Sequence, residues 1–142
     1  MKQLTVKSLE LVDDEKNVYV EGYASAAVKD LDGEIISEQA LQQAAKDLTK
    51  EPYNKVFLNH NARDIPVGKI IEAEVREKKL WIKLILNKAH PKFETVYRSL
   101  KEGFLDAFSI GFKILEKAGN RITKLKVLEV SLVGIPANPE AV

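Results

Sequence analysis

The sequence predicts a mainly β protein in which about seven strands form a mostly antiparallel barrel ringed by helices. Most of the chain alternates apolar and polar residues with the period of two that a strand imposes. Short polar turns separate these segments, and only two segments have helical periodicity. At 142 residues the chain fits one domain spanning 1–142.

The first half of the chain predicts a hairpin, a helix and a short strand. Strands at 3–12 and 17–26 flank the turn DDEKN, and KDLDGE supplies a further turn. Ser37 is a suitable N-cap for the segment SEQALQQAAKDLTK, in which apolar residues recur three and four positions apart. KVFLNHN then predicts a strand that ends at His60.

The second half predicts two more hairpins around a second helix. PVGKIIEAEV and KLWIKLILN form a hairpin through the charged turn REKK. Pro91 and Gly103 bracket a helix with one apolar face. The final strands are predicted at 105–116 and 121–133, joined by KAGN.

Composition and charge exclude several functional classes. A net charge of +1, from 22 basic and 21 acidic residues, gives no reason to expect a nucleic acid or an anionic membrane as partner. The absence of cysteine excludes disulfides, thiolate chemistry and a cysteine-rich zinc site, and favours a reducing compartment. MKQLTVKSLELVDDEK has no continuous apolar core, so we expect neither a signal peptide nor a membrane anchor.

The last predicted hairpin carries polar residues among apolar ones. In LDAFSIGFKI the large residues share one face, whereas Ser109 lies on the other face between Ala107 and Gly111. In KVLEVSLVGI the residues Leu128, Val130 and Leu132 share one face, and Val127, Glu129 and Ser131 the other. A three-residue loop over 118–120 predicts that Ser109 lies opposite Glu129, and a two-residue slip pairs it with Ser131 instead.

A carboxylate in this apolar strand needs a partner. Ionised Glu129 is costly to bury unless it is paired, and His60 at a strand end is one candidate. With Ser109 these residues would supply a nucleophile, a base and an acid that fixes the tautomer of the base. The alternative is an ordinary strand serine, a loop histidine and a carboxylate at the rim. His90, before Pro91, receives no functional role.

Four segments resemble the prohead protease family of tailed bacteriophages. They are NHN followed by PVGKI, then KEGFLDAFSIGF, then LKVLEVSLVGIPANPEA, and earlier VEGYASAAVKDLDGEIISEQAL, so the resemblance covers nearly the whole chain. The family is related in fold to the herpesvirus assembly proteases, whose domain is a mostly antiparallel barrel of about seven strands ringed by helices. This agrees with the fold class predicted from the pattern.

The resemblance implies roles for individual residues. Ser109 is expected to be the nucleophile, His60 its general base and Glu129 the third triad member, where the herpesvirus relatives carry a second histidine. Ser131 is the nearest competitor for that third position. The backbone N–H of Ala137, in the turn GIPAN, is expected to bind the oxyanion.

The implied function is that of a serine endopeptidase of capsid maturation. It would cleave the scaffold, or the scaffolding segment of the capsid protein, and finally itself, inside the assembling prohead in the cytoplasm of the host bacterium. No metal or cofactor is expected, and homodimerisation is suggested by the herpesvirus relatives. Two alternatives are a non-catalytic capsid-assembly or scaffold-binding module of the same fold, and an unrelated small β-barrel binding domain.

Overall fold

The computed structural model describes residues 2–6, 9–13, 16–26 and 34–134. Over these ranges the chain forms nine strands and two helices. The strands are β1 Lys2–Val6, β2 Leu9–Asp13, β3 Val18–Ala26, β4 Ile35–Ile36, β5 Lys55–Leu58, β6 Gly68–Arg76, β7 Lys79–Leu86, β8 Ala107–Ala118 and β9 Arg121–Val133. The helices are α1 Glu38–Leu48 and α2 Phe93–Lys101, and neither of these two is long and apolar enough to cross a membrane.

One sheet contains all nine of these strands. Its order is β1-β8-β9-β5-β6-β7-β3-β2, and β4 pairs with β9 beside this path. The ladders are antiparallel except that β4 and β5 both run parallel to β9. The prediction of a mainly β fold with two helices is confirmed, and the sheet is mixed at β9.

The predicted closure into a barrel is not found in the described ranges, because the sheet path starts at β1 and ends at β2 without a ladder between them. The predicted strand 3–12 is two strands: β1 pairs with β8 and β2 pairs with β3. β1 and β2 are the two edge strands of the open sheet, and only two residues separate Val6 at the end of β1 from Leu9 at the start of β2. The Cα atoms of Val6 and Leu9 can therefore be at most about 11 Å apart. Of the two helices in the described ranges, α1 packs against β6, β7 and β9. The predicted ring of helices is not confirmed.

One end of each helix is marked by a residue suited to that position. The Ser37 hydroxyl accepts a hydrogen bond from the Ala40 backbone N–H at 3.1 Å, which confirms the predicted N-cap of α1. Gly103 follows the end of α2 with φ of +83°, a left-handed conformation that glycine adopts at little cost.

The core lies between the sheet and the apolar face of α1. The sheet contributes Phe108 and Leu132, and the helix contributes Leu41 and Leu48, all of them fully buried. Burying each such side chain contributes about 1.5–3 kcal/mol to the free energy of unfolding. This packing anchors β8 and β9, which carry most of the candidate site.

Candidate active site

The parallel pairing of β5 with β9 brings His60 to the C-terminal part of β9. Leu58, the last residue of β5, lies opposite Leu132. The chain then turns back, and the Asn59 N–H donates to the Leu132 carbonyl at 3.0 Å. The next N–H, of His60, donates to Ser131 Oγ at 3.0 Å. Asn59 and His60 have φ of +50° and +61°, left-handed values that allow this sharp turn.

Glu129 has hydrogen-bond partners for both of its carboxylate oxygens. Its Oε1 lies in hydrogen-bond contact with His60 Nδ1. Its Oε2 accepts a hydrogen bond from the Ser131 hydroxyl at 2.8 Å. The side chain of Glu129 is almost fully buried, and these contacts provide the compensation that a buried carboxylate requires.

A β-bulge at Leu128 changes which residues of β9 face the core. Phe112 pairs with Val127 and Gly111 pairs with Glu129, so Leu128 is an extra residue on β9. The prediction that Leu128 shares the buried face with Val130 is therefore wrong: Leu128 is 41% exposed and Val127 takes the core position. The extra residue interrupts the alternation, which the period of two does not anticipate.

The register of the last hairpin also differs from the first of the two predictions. Ser109 lies opposite Ser131, and Glu129 lies opposite Gly111. The predicted pairing of Ser109 with Glu129 is wrong, and the alternative slipped by two residues is the one observed. The hairpin loop contains two residues instead of three, which moves the register by one position, and the bulge moves it by another.

Ser109 lies on the face of β8 that carries small residues, as the sequence predicts. It is 1% exposed, and Ala107 and Gly111 beside it are buried as well. Within the described ranges its Oγ has no hydrogen-bond partner. The structure thus brings His60 and Glu129 into contact and places Ser109 beside Ser131 on the neighbouring strand, without a hydrogen bond between Ser109 and His60.

The remaining predicted site residue and the second histidine lie elsewhere. Ala137, the expected oxyanion donor, falls outside the described residues. His90 is buried before α2, where its Nδ1 accepts a hydrogen bond from the Lys92 N–H at 3.0 Å. Its Nε2 is 3.8 Å from Asp64 Oδ2. No group of three or more histidine, aspartate or glutamate side chains in the described part of the chain is arranged to hold a metal ion.

Sequence reasoning found Ser131 only as a competitor of Glu129. The period of two places residues 129 and 131 on the same face of a strand, and this is the signal that could have identified them as partners. Their hydrogen bond, and the contact of Ser131 with the His60 backbone, depend on a parallel strand pairing that the alternation pattern does not contain.

Comparison with known proteins assigns the chain to a family. The model of the caudovirus prohead serine protease family matches residues 2–142. The prohead protease of Escherichia phage T5 is 28% identical over 142 residues, which cover 96% of this chain and 66% of that protein. The prohead protease of Enterobacteria phage HK97 is 28% identical over 141 residues, with 94% and 62% covered. The chain therefore spans slightly less than two thirds of the length of these curated relatives.

Two further similarities concern a capsid polyprotein and a solved structure. A capsid polyprotein of Pseudomonas phage PAJU2 is 31% identical over an alignment of 150 residues. The alignment covers 97% of this chain and 21% of that protein. The structure of the bacteriophage T4 capsid assembly protease superposes with a TM-score of 0.69 over 95% of this chain and 98% of that one. At 14% identity this second likeness establishes a shared fold.

Proposed function

The chain belongs to the caudovirus prohead serine protease family, and on this premise we propose that it is a serine endopeptidase of capsid maturation. The observation that carries the proposal is the contact between His60 Nδ1 and the buried carboxylate of Glu129, beside the strand that carries Ser109. A histidine held by a carboxylate next to a serine is the arrangement that nucleophilic acyl transfer requires.

In the proposed mechanism the imidazole of His60 is the base. Because Nδ1 faces a carboxylate oxygen, that nitrogen carries the proton and Nε2 keeps its lone pair. Nε2 accepts the Ser109 hydroxyl proton as Oγ attacks the scissile carbonyl, and later returns the proton to the leaving amine. Water then attacks the acyl-enzyme with His60 again as base. Glu129 stabilises the imidazolium that forms in each half of the reaction.

Ser109 must become accessible before it reacts. At 1% exposure the hydroxyl cannot meet a peptide carbonyl until neighbouring groups move. Its hydrogen bond with His60 would then form in the substrate complex, where such contacts commonly shorten. We assign the oxyanion to backbone donors, with the N–H of Ala137 as the candidate from the sequence.

We propose capsid protein or scaffold as the substrate, with the chain itself as a final target, inside the assembling prohead. The names of the relatives support this assignment, since two are prohead proteases and one is a capsid polyprotein. Because Ala107 and Gly111 beside Ser109 have small side chains, this face of β8 leaves room for an extended peptide once the site opens.

Covalent labelling tests the proposed nucleophile directly. A fluorophosphonate forms a bond between Ser109 Oγ and phosphorus while fluoride leaves and the hydroxyl proton passes to His60. Mass spectrometry of peptides should locate the adduct on Ser109 in the wild type, and the adduct should be lost in Ser109→Ala and strongly reduced in His60→Ala. Labelling of another serine, or equal labelling of Ser109 in His60→Ala, would contradict the proposal.

A further inference from the structure

We propose that Ser131 is a positioning residue for the proposed reaction, with a hydroxyl that fixes the backbone of the base and the carboxylate beside it. The inference rests on the proposed function of Ser109 and His60. Ser131 is fully buried on β9, and its Oγ contacts two groups that belong to the same catalytic unit.

The hydrogen bonds of Ser131 form a closed ring with its two partners. The His60 backbone N–H donates to Ser131 Oγ at 3.0 Å, and the Ser131 hydroxyl donates to Glu129 Oε2 at 2.8 Å. The other carboxylate oxygen contacts Nδ1 of the same histidine. Ser131 thus holds the main chain of His60, and Glu129, which Ser131 also contacts, holds its side chain.

The direction of each bond in the ring is fixed by chemistry. A backbone N–H can only donate, so Ser131 Oγ uses a lone pair to accept from it. The single hydroxyl hydrogen is then free for Glu129, whose ionised carboxylate can only accept. Because Ser131 is fully buried, water cannot replace either contact without a rearrangement.

The backbone at His60 needs such a tether. Asn59 and His60 are consecutive residues with φ of +50° and +61°, a region that asparagine and histidine tolerate better than most residues but that side chains other than glycine usually enter singly. Two backbone N–H groups of this turn donate hydrogen bonds to β9, one to the Leu132 carbonyl and one to Ser131 Oγ. Only the second depends on a side chain, so substitution can remove it selectively.

Removing the hydroxyl should therefore loosen the base. In Ser131→Ala the His60 N–H and Glu129 Oε2 each lose a partner, and the imidazole samples more orientations relative to Ser109. We expect the rate of fluorophosphonate labelling to fall about ten- to hundredfold, the range associated with losing a charge-assisted hydrogen bond or precise orientation. Ser131→Thr keeps the hydroxyl and should recover most of the rate.

The experiment compares Ser131→Ala, Ser131→Thr and a matched control, Ser37→Ala. The control also removes a buried hydroxyl that makes a backbone hydrogen bond, but it does so at the N-cap of α1, away from His60. The labelling rate is measured for each protein. Proton NMR of the low-field imidazole N–H signal gives a second readout that does not depend on activity.

The low-field signal can be assigned because the chain has two histidines. His90 Nδ1 accepts a hydrogen bond, so the ring proton of His90 is on Nε2, which is also near a carboxylate, 3.8 Å from Asp64 Oδ2; the low-field signal that persists in His90→Gln therefore belongs to His60. We expect this signal to persist in Ser37→Ala and Ser131→Thr, and to broaden or exchange with water at least tenfold faster in Ser131→Ala. Unchanged exchange and labelling in Ser131→Ala would overturn the proposal.

Two further results would distinguish a failure of the proposed role of Ser131 from a failure of the proposed protease function. If Ser131→Ala does not fold, the same measurements on Ser131→Cys decide, because a thiol is a weaker donor and acceptor than a hydroxyl. Wild-type behaviour of that variant would overturn the positioning role. If the wild-type protein does not react with the probe, the proposed function fails, and the imidazole signal alone decides whether Ser131 positions His60.

Discussion

The imidazole of His60 and the carboxylate of Glu129 are in hydrogen-bond contact across 69 residues of sequence, because β5 runs parallel to β9. Replacing the carboxylate by an amide should leave the fold intact but remove the charge that stabilises the imidazolium in the proposed mechanism. We predict that Glu129→Gln lowers the rate of peptide cleavage by about 10²–10⁴-fold. Glu72→Gln, on an exposed position of β6, is the matched control and should react at the wild-type rate.

Two phenylalanines four residues apart provide a test of the core. Phe108, on β8, is fully buried in the core, whereas Phe104 is 72% exposed. Phe108→Ala should lower the free energy of unfolding by about 3–5 kcal/mol, since it leaves a cavity. Phe104→Ala should change it by less than about 0.5 kcal/mol. Urea denaturation measures both, and equal effects would contradict the described packing.

Gly134 brings the end of β9 close to the loop after α2. A Cβ at this position would lie 2.3 Å from the Phe104 carbonyl oxygen, so the backbone must shift to accept a side chain. Gly134→Ala should lower the free energy of unfolding by about 1–3 kcal/mol. Gly119→Asn is the control, because φ there is +61°, the surroundings are open and asparagine tolerates this conformation. A Gly134→Ala protein as stable as the control would argue against the close approach.

The hydrogen bond between Tyr97 and Asp13 ties α2 to β2. The Tyr97 hydroxyl donates to Asp13 Oδ2 at 2.6 Å, and this bond raises the pKa of Tyr97 above its usual value. A raised pKa in the folded state means that the stabilisation is complete below the ordinary pKa of tyrosine, about 10, and is lost as the pH rises through the raised value.

Ultraviolet titration tests this link in folded protein. Tyr97→Phe should remove a phenol that ionises at unusually high pH, and it should make the free energy of unfolding less dependent on pH in the alkaline range. Asp13→Asn removes the carboxylate and should bring the pKa of Tyr97 back toward its usual value. A titration of Asp13→Asn identical to that of the wild type would show that the bond does not control this group.

Local patterns in the sequence predict most elements of the fold. The N-cap at Ser37 and the glycine after α2 mark helix ends by their own backbone chemistry, and both are observed. The two-residue strand β4 was not predicted, because two residues cannot establish a period. Closure of the sheet was predicted, but the described ranges contain no ladder that closes it; closure depends on how strand edges meet, which alternation does not encode.

The candidate site shows the same division between local and long-range information. The need of Glu129 for a partner follows from its apolar surroundings, and the sequence offered His60 for that role. The pairing of β8 with β9 could not be settled from the sequence, because the bulge at Leu128 and the two-residue loop each move the register by one position. The joint role of Ser131 requires the parallel ladder between β5 and β9, which only the folded chain contains.

In the proposed function, proteolysis by this chain depends on the hydroxyl of Ser109. The most direct measurement is mass spectrometry of wild-type and Ser109→Ala protein over a time course, each with and without the capsid or scaffold protein of the same phage. We predict fragments with defined termini in the wild-type samples alone, while both proteins show the same unfolding transition. Identical intact masses in all samples, or identical fragments with Ser109→Ala, would contradict the proposed role of Ser109.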